Sequence, residues 1–273
     1  MAKFEFKNKK IYYETHGETG YPIVLLNGIM MSTLSWHGFV PSFSANNRLI
    51  LMDFFDQGQS DKYRDEVYNQ DLQVAALKAL LEHLNLEEVA LAGISYGGNV
   101  ALKFAAEHPS SVSKLVVFNV AAKTGDWLKE LGESWIKSMD DPVQFYNTTI
   151  PVIYSPEFYN NNPEWVKLRK DFLTRHIFTN KEFLKGVERL TNSANDYDVS
   201  GKLDSITAKT LIVASEFDPI TPVFEHRKLH EGITNSEFII LPNTGHATMY
   251  ERPAVFASLL LGFINTNLEA LKV

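Results

Sequence analysis

Residues 88–109, EVALAGISYGGNVALKFAAEHP, decide the fold of this chain. They begin with an apolar run, Val89–Leu91, of the length and composition of a buried strand, and they end with apolar residues at helical spacing. The turn between the two, Gly93–Gly98, contains three glycines. A strand that becomes a helix within so few residues needs glycine, because larger side chains would clash in so sharp a bend. The sequence therefore predicts a strand, a tight turn and a helix.

The turn has the pattern G-x-S-x-G with Ser95 at its centre. At a strand-to-helix junction this pattern forms the nucleophile elbow, a turn that holds a serine hydroxyl clear of the backbone. Tyr96 follows the serine and opens the helix, so its N–H lacks an intrahelical partner and lies at the positive end of the helix dipole. The alternative is a glycine-rich turn with an incidental serine, but the flanking strand and helix favour the elbow. Ser95 is therefore the candidate nucleophile.

The composition limits the class of protein. The chain has 273 residues, of which 45% are hydrophobic, as expected for one large domain or a domain with an insertion. A net charge of −7 argues against nucleic acid and anionic membranes as partners. The lack of cysteine excludes disulfides, thiolate metal sites and cysteine nucleophiles. Neither a signal peptide nor a membrane-spanning apolar run is predicted, so we expect a cytoplasmic protein.

Apolar runs alternate with helical patterns over most of the chain. Strands are predicted at Lys3–Lys10, Ile11–His16, Pro22–Leu26, Arg48–Asp53, Val89–Leu91, Val112–Asn119, Lys209–Ser215 and Glu237–Leu241, with a turn at Asn8-Lys9-Lys10. Further helices are predicted at Trp36–Phe43, Asn69–Leu84, Val223–His230 and from Pro253 to about Leu268. This alternation predicts an α/β fold whose sheet is mostly parallel, eight-stranded and flanked by helices.

The segment 121–200 interrupts the alternation. It has no comparable strand-like run, and prolines separate short helical patterns that include Glu164–Phe178 and Lys181–Thr191. The segment follows the sixth strand, at the sheet edge where such folds bind ligands. We therefore expect a core domain formed by residues 1–120 and 201–273, with a helical cap at residues 121–200. Apolar pocket walls are predicted from Met30, Trp127, Phe145 and Tyr146, although the aromatic side chains could instead form the cap's own core.

A serine nucleophile needs a base, and the base needs an acid that orients it. His246 follows the last predicted strand, and Asp218 follows the strand before it, so both would reach the sheet edge that carries Ser95. The chain order Ser, Asp, His is the one found in α/β-hydrolases. Glu216 is the alternative acid. Asp53 and Asp56 are expected to hold loops by accepting backbone N–H groups.

With these residues in place, the chain resembles the α/β-hydrolase superfamily over essentially its whole length. The motifs are GISYGG at the elbow, EFDPITP around Asp218 and PNTGHATMYERP around His246. The nearest resemblance is to small cytoplasmic esterases and the 3-oxoadipate enol-lactonase-like branch. Three positions depart from the usual pattern: Asn27 stands where many relatives have histidine, Phe55 where they have arginine, and Asp56 where they have glycine.

The resemblance implies a serine hydrolase. Ser95, His246 and Asp218 would form its triad, and the N–H groups of Ile29 and Tyr96 would form the oxyanion hole. The expected substrate is small and largely apolar, with a carboxylic ester, lactone or similar acyl bond. Water is the expected co-substrate, with no cofactor and no metal, and the protein is expected to be a monomer or homodimer. The alternatives are an acyltransferase, a perhydrolase, a C–C hydrolase, or a ligand-binding signalling protein of the same fold that does not turn its ligand over.

Overall fold

A computed structural model describes residues 2–64, 68–267 and 270 of the chain. Within these residues, eight strands form one sheet in the order β1-β2-β4-β3-β5-β6-β7-β8. The strands are β1 (Ala2–Phe6), β2 (Lys9–His16), β3 (Tyr21–Leu26), β4 (Asn47–Met52), β5 (Val89–Ile94), β6 (Val112–Phe118), β7 (Lys209–Ser215) and β8 (Ser236–Leu241). The β1–β2 and β2–β4 pairs are antiparallel and the other pairs are parallel. The predicted fold class is confirmed.

Helices cover both faces of the sheet. They are α1 (Val40–Phe43), α2 (Gln70–His83), α3 (Tyr96–Glu107), α4 (Asp126–Lys137), α5 (Pro142–Thr149), α6 (Pro156–Asn161), α7 (Pro163–Phe172), α8 (Lys181–Ser193), α9 (Val223–Gly232), α10 (Thr248–Glu251) and α11 (Pro253–Asn265). Alternate residues of β3 enter opposite cores, because successive strand residues point to opposite faces. Val24 and Leu26 pack with α2 and α3, whereas Ile23 and Leu25 pack with α1 and α11.

Several predicted boundaries differ from the structure. The first turn lies at Lys7 and Asn8, which have φ angles of 50° and 58°, so β2 begins at Lys9 rather than Ile11. The predicted helix Trp36–Phe43 is a 3₁₀ turn, Thr33–Trp36, followed by α1. The final helix ends at Asn265, and Leu268 lies outside the described residues.

Helices α4 to α8 lie between β6 and β7. The two ends of this segment meet, because Thr124 N–H donates to Tyr197 O at 2.9 Å and Val199 N–H donates to Ala122 O at 2.9 Å. The boundaries of the cap at residues 121 and 200, and of the core at 1–120 and 201–273, stay a prediction. In the described parts of the chain, no helix combines the length and apolar character needed to cross a membrane.

The first turn of α3 lies unusually close to β3 and β5. A Cβ atom on Gly97 would lie 2.5 Å from Asn27 O and 2.6 Å from the carbonyl carbon of Leu26. A Cβ atom on Gly93 would lie 2.6 Å from the backbone of Gly97. Both sets of atoms belong to the backbone and cannot rotate away, so the crossing requires glycine on the strand and on the helix.

The close crossing makes a testable prediction about stability. Gly97→Ala should lower the free energy of unfolding by about 1–3 kcal/mol or more, because α3 must move away from β3 to admit the methyl group. Gly125→Ala is the matched control, since a Cβ atom there meets nothing within 4 Å. Urea denaturation of both variants measures the difference. Equal stability of the two variants would contradict the role given to this crossing.

Candidate active site

Ser95 occupies the turn between β5 and α3 in a strained backbone conformation. Its φ and ψ angles are 51° and −125°, a region that residues other than glycine seldom adopt. Hydrogen bonds hold the turn: Ser95 N–H donates to Phe118 O at 3.0 Å, and Asn99 N–H donates to Ser95 O at 2.9 Å. Backbone strain of this kind persists only where the surrounding structure fixes it, and it is common at functional sites.

Asp218 and His246 form a buried pair beyond the ends of β7 and β8. His246 Nδ1 donates to Asp218 Oδ2 at 2.7 Å, and the aspartate is only 4% exposed. Thr221 donates to the same carboxylate through its hydroxyl at 2.6 Å and its N–H at 3.1 Å. Burial by itself would raise the pKa of Asp218, but His246 and the Thr221 donors outweigh it and hold the pKa at about 2. The carboxylate is therefore ionised near neutral pH, and Nε2 of His246 is left as the acceptor nitrogen.

In the part of the chain that the structure describes, Glu216 forms neither a hydrogen bond nor an ion pair with His246. Its Oε2 atom accepts a hydrogen bond from Asn243 N–H at 2.9 Å, and the side chain is exposed. The structure thus brings Asp218, and not the alternative acid, to the imidazole.

One cavity connects the predicted residues. Ser95, His246, Ile29 and Tyr96 all line it, and its volume is about 170 Å³. Most of its wall is apolar, with side chains that include Met30, Met31, Leu128, Leu131, Trp135, Ile150, Ile153, Leu173, Ile177, Phe178, Phe183, Ile220 and Met249. Within the described residues, the backbone N–H groups of Ile29 and Tyr96 have no hydrogen-bond partner. Both N–H groups are therefore available to an oxygen atom bound beside Ser95.

The loop that carries Ile29 is held by a buried amide network. Asn27 Oδ1 accepts a hydrogen bond from Trp36 Nε1–H at 2.6 Å, and Asn27 Nδ2 donates to Gln57 Oε1 at 3.0 Å. Gln57 Nε2 in turn donates to Gly28 O at 2.8 Å. Asn27 thus fixes the loop through Trp36 and through Gln57, which binds Gly28. The sequence did not indicate this network, because the partners of Asn27 are distant along the chain.

Three of the four residues predicted to form the pocket wall do not line the cavity in the described structure, and the prediction is corrected for these three. Met30 lines the cavity, but Trp127, Phe145 and Tyr146 do not. Trp127 is 60% exposed, and its Nε1–H donates to Pro219 O at 2.7 Å. Phe145 and Tyr146 are buried inside the cap, the former against Phe178 and the latter against Tyr159.

Helical periodicity explains the misplaced tryptophan. The residues of α4 that line the cavity are Leu128, Leu131, Gly132 and Trp135, which share one helix face. Trp127 precedes this set by one position, which rotates it about 100° away from the cavity. The spacing of the leucines and Trp135 was the signal that could have identified the cavity face.

A series of hydrogen-bonded polar side chains continues from Asp218. Asn119 Nδ2 donates to Asp218 Oδ2 at 2.9 Å, and Asn119 Oδ1 accepts from Thr248 Oγ1–H at 2.8 Å. Ser215 Oγ lies 2.9 Å from Thr248 Oγ1 and extends the chain. Asn119 has a φ angle of 54°, which asparagine tolerates better than most residues. Asn119 and Ser215 were missed in the sequence because they follow or end strands without forming a motif. Thr248 lies in the motif around His246, but its partner Asn119 is 129 positions away along the chain.

Asp53 and Asp56, in the loop after β4, have different hydrogen-bond partners. Asp53 accepts N–H groups from Thr33 at 2.7 Å and Gln59 at 2.8 Å, in agreement with its predicted role. Asp56 instead binds Arg189 of α8, with Arg189 Nε 3.0 Å from Asp56 Oδ2, so its predicted role as a backbone acceptor is corrected. Over residues 2–64, 68–267 and 270, no group of three or more histidine, aspartate or glutamate side chains is arranged to hold a metal ion.

The cap is attached directly to the loop of His246. Glu251 accepts hydrogen bonds from Ser155 N–H at 2.9 Å, Ser155 Oγ–H at 2.6 Å and Gly245 N–H at 3.1 Å. Ala247 N–H donates to Ile153 O at 3.0 Å. The residues on both sides of His246 are thereby fixed against cap residues 153–155.

Comparison with known proteins agrees with this geometry. Residues 21–253 match the sequence profile of a family described by the alpha/beta hydrolase fold. Among solved structures, an alpha/beta hydrolase enzyme from a Medee basin deep-sea metagenome library is 44% identical, with a TM-score of 0.97 and 100% of each chain covered. The enol-lactonase from Burkholderia xenovorans has a TM-score of 0.84, covering 97% of this chain and 100% of its own. At 17% identity it shares the fold alone.

A curated relative is also similar over nearly the whole length. It is the 2-hydroxy-6-oxononadienedioate/2-hydroxy-6-oxononatrienedioate hydrolase 2 of Pseudomonas putida, which is 28% identical over 266 residues. The alignment covers 93% of this chain and 91% of that protein.

The buried side chain of His226 should make the stability of the protein depend on pH. The side chain is fully buried, its Nε2 accepts Val120 N–H at 3.0 Å, and burial lowers its pKa from 6.5 to about 4. Between these values the unfolded chain binds a proton that the folded chain does not, so stability falls as the pH is lowered. At about 1.4 kcal/mol per pH unit, His226 should account for about 3 kcal/mol of that loss.

The measurement is urea denaturation between pH 4 and pH 6.5. His226→Gln, whose amide oxygen can still accept Val120 N–H, should show a shallower dependence of the free energy of unfolding on pH than the wild type. Parallel curves for the two proteins would show that His226 does not titrate in this way.

Proposed function

Because the chain belongs to the α/β-hydrolase family, we propose that it is a serine hydrolase that cleaves a carboxylic ester, a lactone or a similar acyl bond of a small substrate. The observation that carries the proposal is the buried hydrogen bond of 2.7 Å between His246 Nδ1 and Asp218 Oδ2, in a cavity that Ser95 shares. A histidine held by an ionised carboxylate is the base that a serine nucleophile requires.

In the proposed reaction, Ser95 Oγ attacks the substrate carbonyl while His246 Nε2 accepts the hydroxyl proton. The N–H groups of Ile29 and Tyr96 stabilise the negative charge that develops on the carbonyl oxygen. His246 then gives the proton to the leaving alcohol, which leaves an acyl group on Ser95. A water molecule repeats the sequence and releases the acid.

Asp218 stabilises the imidazolium form of His246 during both steps. Its pKa of about 2 keeps it ionised while His246 gains and loses a proton. Within the described residues, no hydrogen bond joins Ser95 Oγ to His246 Nε2. Such bonds are often long in unliganded enzymes and shorten when the substrate binds.

A second candidate function comes from one comparison. The Pseudomonas putida relative is named as a hydrolase of oxo-dienedioates and is similar over 93% of this chain. As a C–C hydrolase, the protein would use the same serine, histidine and aspartate to hydrolyse such a compound. Steady-state assays on simple esters and on an oxo-dienedioate would rank the two functions.

The proposal predicts that Ser95 reacts covalently. A fluorophosphonate should add once per chain, and mass spectrometry should locate the adduct on the peptide that contains Ser95. Ser95→Ala should lose the adduct and should lower ester turnover by several orders of magnitude, because triad members act as a unit. Full labelling of the alanine variant would show that Ser95 is not the nucleophile. Slow release of one equivalent of product without further turnover would instead favour a binding protein.

The proposal also predicts which carboxylate matters. Asp218→Asn should lower kcat on the order of 10⁴-fold, because the imidazole would lose the acceptor that fixes its tautomer. Glu216→Gln is the matched control and should keep turnover near that of the wild type, since its amide oxygen still accepts Asn243 N–H. Steady-state kinetics on one ester compares the two variants. A larger loss in Glu216→Gln would assign the acid to Glu216.

A further inference from the structure

Arg169 of α7 differs from the other residues of the catalytic cavity. Among the described residues that line the cavity, it carries the only permanent charge. The other side chains there are apolar or neutral, apart from the titratable His246. Arg169 is half-buried, so its charge has lost part of its hydration at the cavity wall, and a bound anion would compensate that loss.

Within the residues that the structure describes, no carboxylate is paired with Arg169. Arg64 and Arg189 form ion pairs with Glu182 and Asp56, but no ion pair of Arg169 is found in the described part of the chain. Its Nε–H is buried and has no hydrogen-bond partner. Among the described residues, no protein anion therefore pairs with the guanidinium, which lies on the wall of the cavity where the substrate would bind.

Aromatic rings hold this guanidinium in place. Its central carbon lies 5.3 Å from the ring centre of Trp165 on the same helix and 5.1 Å from that of Tyr250 on α10. Cation–π contacts of this kind supply no hydrogen-bond acceptor, so they leave the N–H groups free to donate to an anion. Tyr250 is four residues beyond His246, so the position of Arg169 is tied to the catalytic loop.

Tyr154 adds a neutral donor beside the same cation. Its side chain is buried, and it lines the cavity. Burial raises the pKa of Tyr154 even though Arg169 opposes that rise, so the hydroxyl keeps its proton. An anion bound at Arg169 would then meet a guanidinium edge and a hydroxyl.

We propose that Arg169 binds a carboxylate of the substrate, so that the preferred substrates are monoesters or lactones with a free carboxylate. This inference rests on the proposed hydrolysis at Ser95 and narrows its substrate class. The planar guanidinium matches a carboxylate with two parallel hydrogen bonds. Arg169 is the only arginine or lysine among the described residues of the cavity wall, and a single cation fits one negative charge better than a phosphate dianion. The apolar walls strengthen the pairing by excluding water.

The test compares matched pairs of substrates. 4-Nitrophenyl monoesters of glutarate, adipate and pimelate are assayed against neutral esters in which a methyl group replaces the carboxylate. For at least one chain length, the wild type should have a higher kcat/KM for the anionic ester. In Arg169→Met the ratio of anionic to neutral kcat/KM should fall by about 10- to 100-fold, the effect of losing a charged hydrogen-bond partner. Most of the change should appear in KM.

Arg175→Met is the matched control. Arg175 lies six positions further along the same cap segment, carries the same charge and is exposed. It should keep the wild-type ratio, which separates direct recognition from a general change in the charge of the cap. The inference is overturned if the wild type has no preference for anionic esters at any length, or if Arg169→Met keeps that preference.

A binding experiment distinguishes failure of this inference from failure of the proposed hydrolysis. Titration calorimetry with monomethyl adipate should detect binding to the Ser95→Ala protein and much weaker binding to the Ser95→Ala, Arg169→Met protein. This readout does not need turnover. If no ester is hydrolysed, Arg169-dependent binding still supports the carboxylate site, and equal binding by both proteins overturns it.

Discussion

The close crossing of α3 over β3 and β5 is the constraint on which the rest of the site depends. Gly93 and Gly97 allow backbone contacts that a methyl group would block, so the chain can turn from strand to helix at once. That sharp turn fixes Ser95 at φ 51° and ψ −125° and leaves the N–H of Tyr96 without a partner in the described structure. The same turn therefore provides the close helix–strand packing, the strained backbone of Ser95 and the N–H group of the proposed oxyanion hole.

The remaining parts of the site are positioned by the parallel sheet. The chain segments after β6, β7 and β8 supply Asn119, Asp218 and His246, and hydrogen bonds link all three. Glu251 then joins the His246 loop to Ser155 of the cap. The cap is thus connected to the catalytic loop through hydrogen bonds as well as through the apolar cavity wall.

The architecture could be predicted from the sequence, since hydrophobic periodicity and glycine placement are local signals. The sequence was insufficient for the cavity wall, because the orientation of α4 depends on packing across the chain: the leucines and Trp135 face inward, and Trp127 faces outward. Partners distant in sequence were also beyond reach, as for Asp56 with Arg189 and Asn27 with Gln57. The unpaired charge of Arg169 became apparent only when its neighbours were known.

The covalent step at Ser95 can be tested by observing the acyl-enzyme itself. The wild-type protein is mixed with a 4-nitrophenyl ester, quenched in acid within milliseconds and analysed by intact-mass and peptide mass spectrometry. We expect a transient mass increase equal to the acyl group, located on Ser95, that forms and decays at rates consistent with kcat. Steady turnover without any acyl adduct, or with the adduct on another residue, would contradict a covalent step at Ser95.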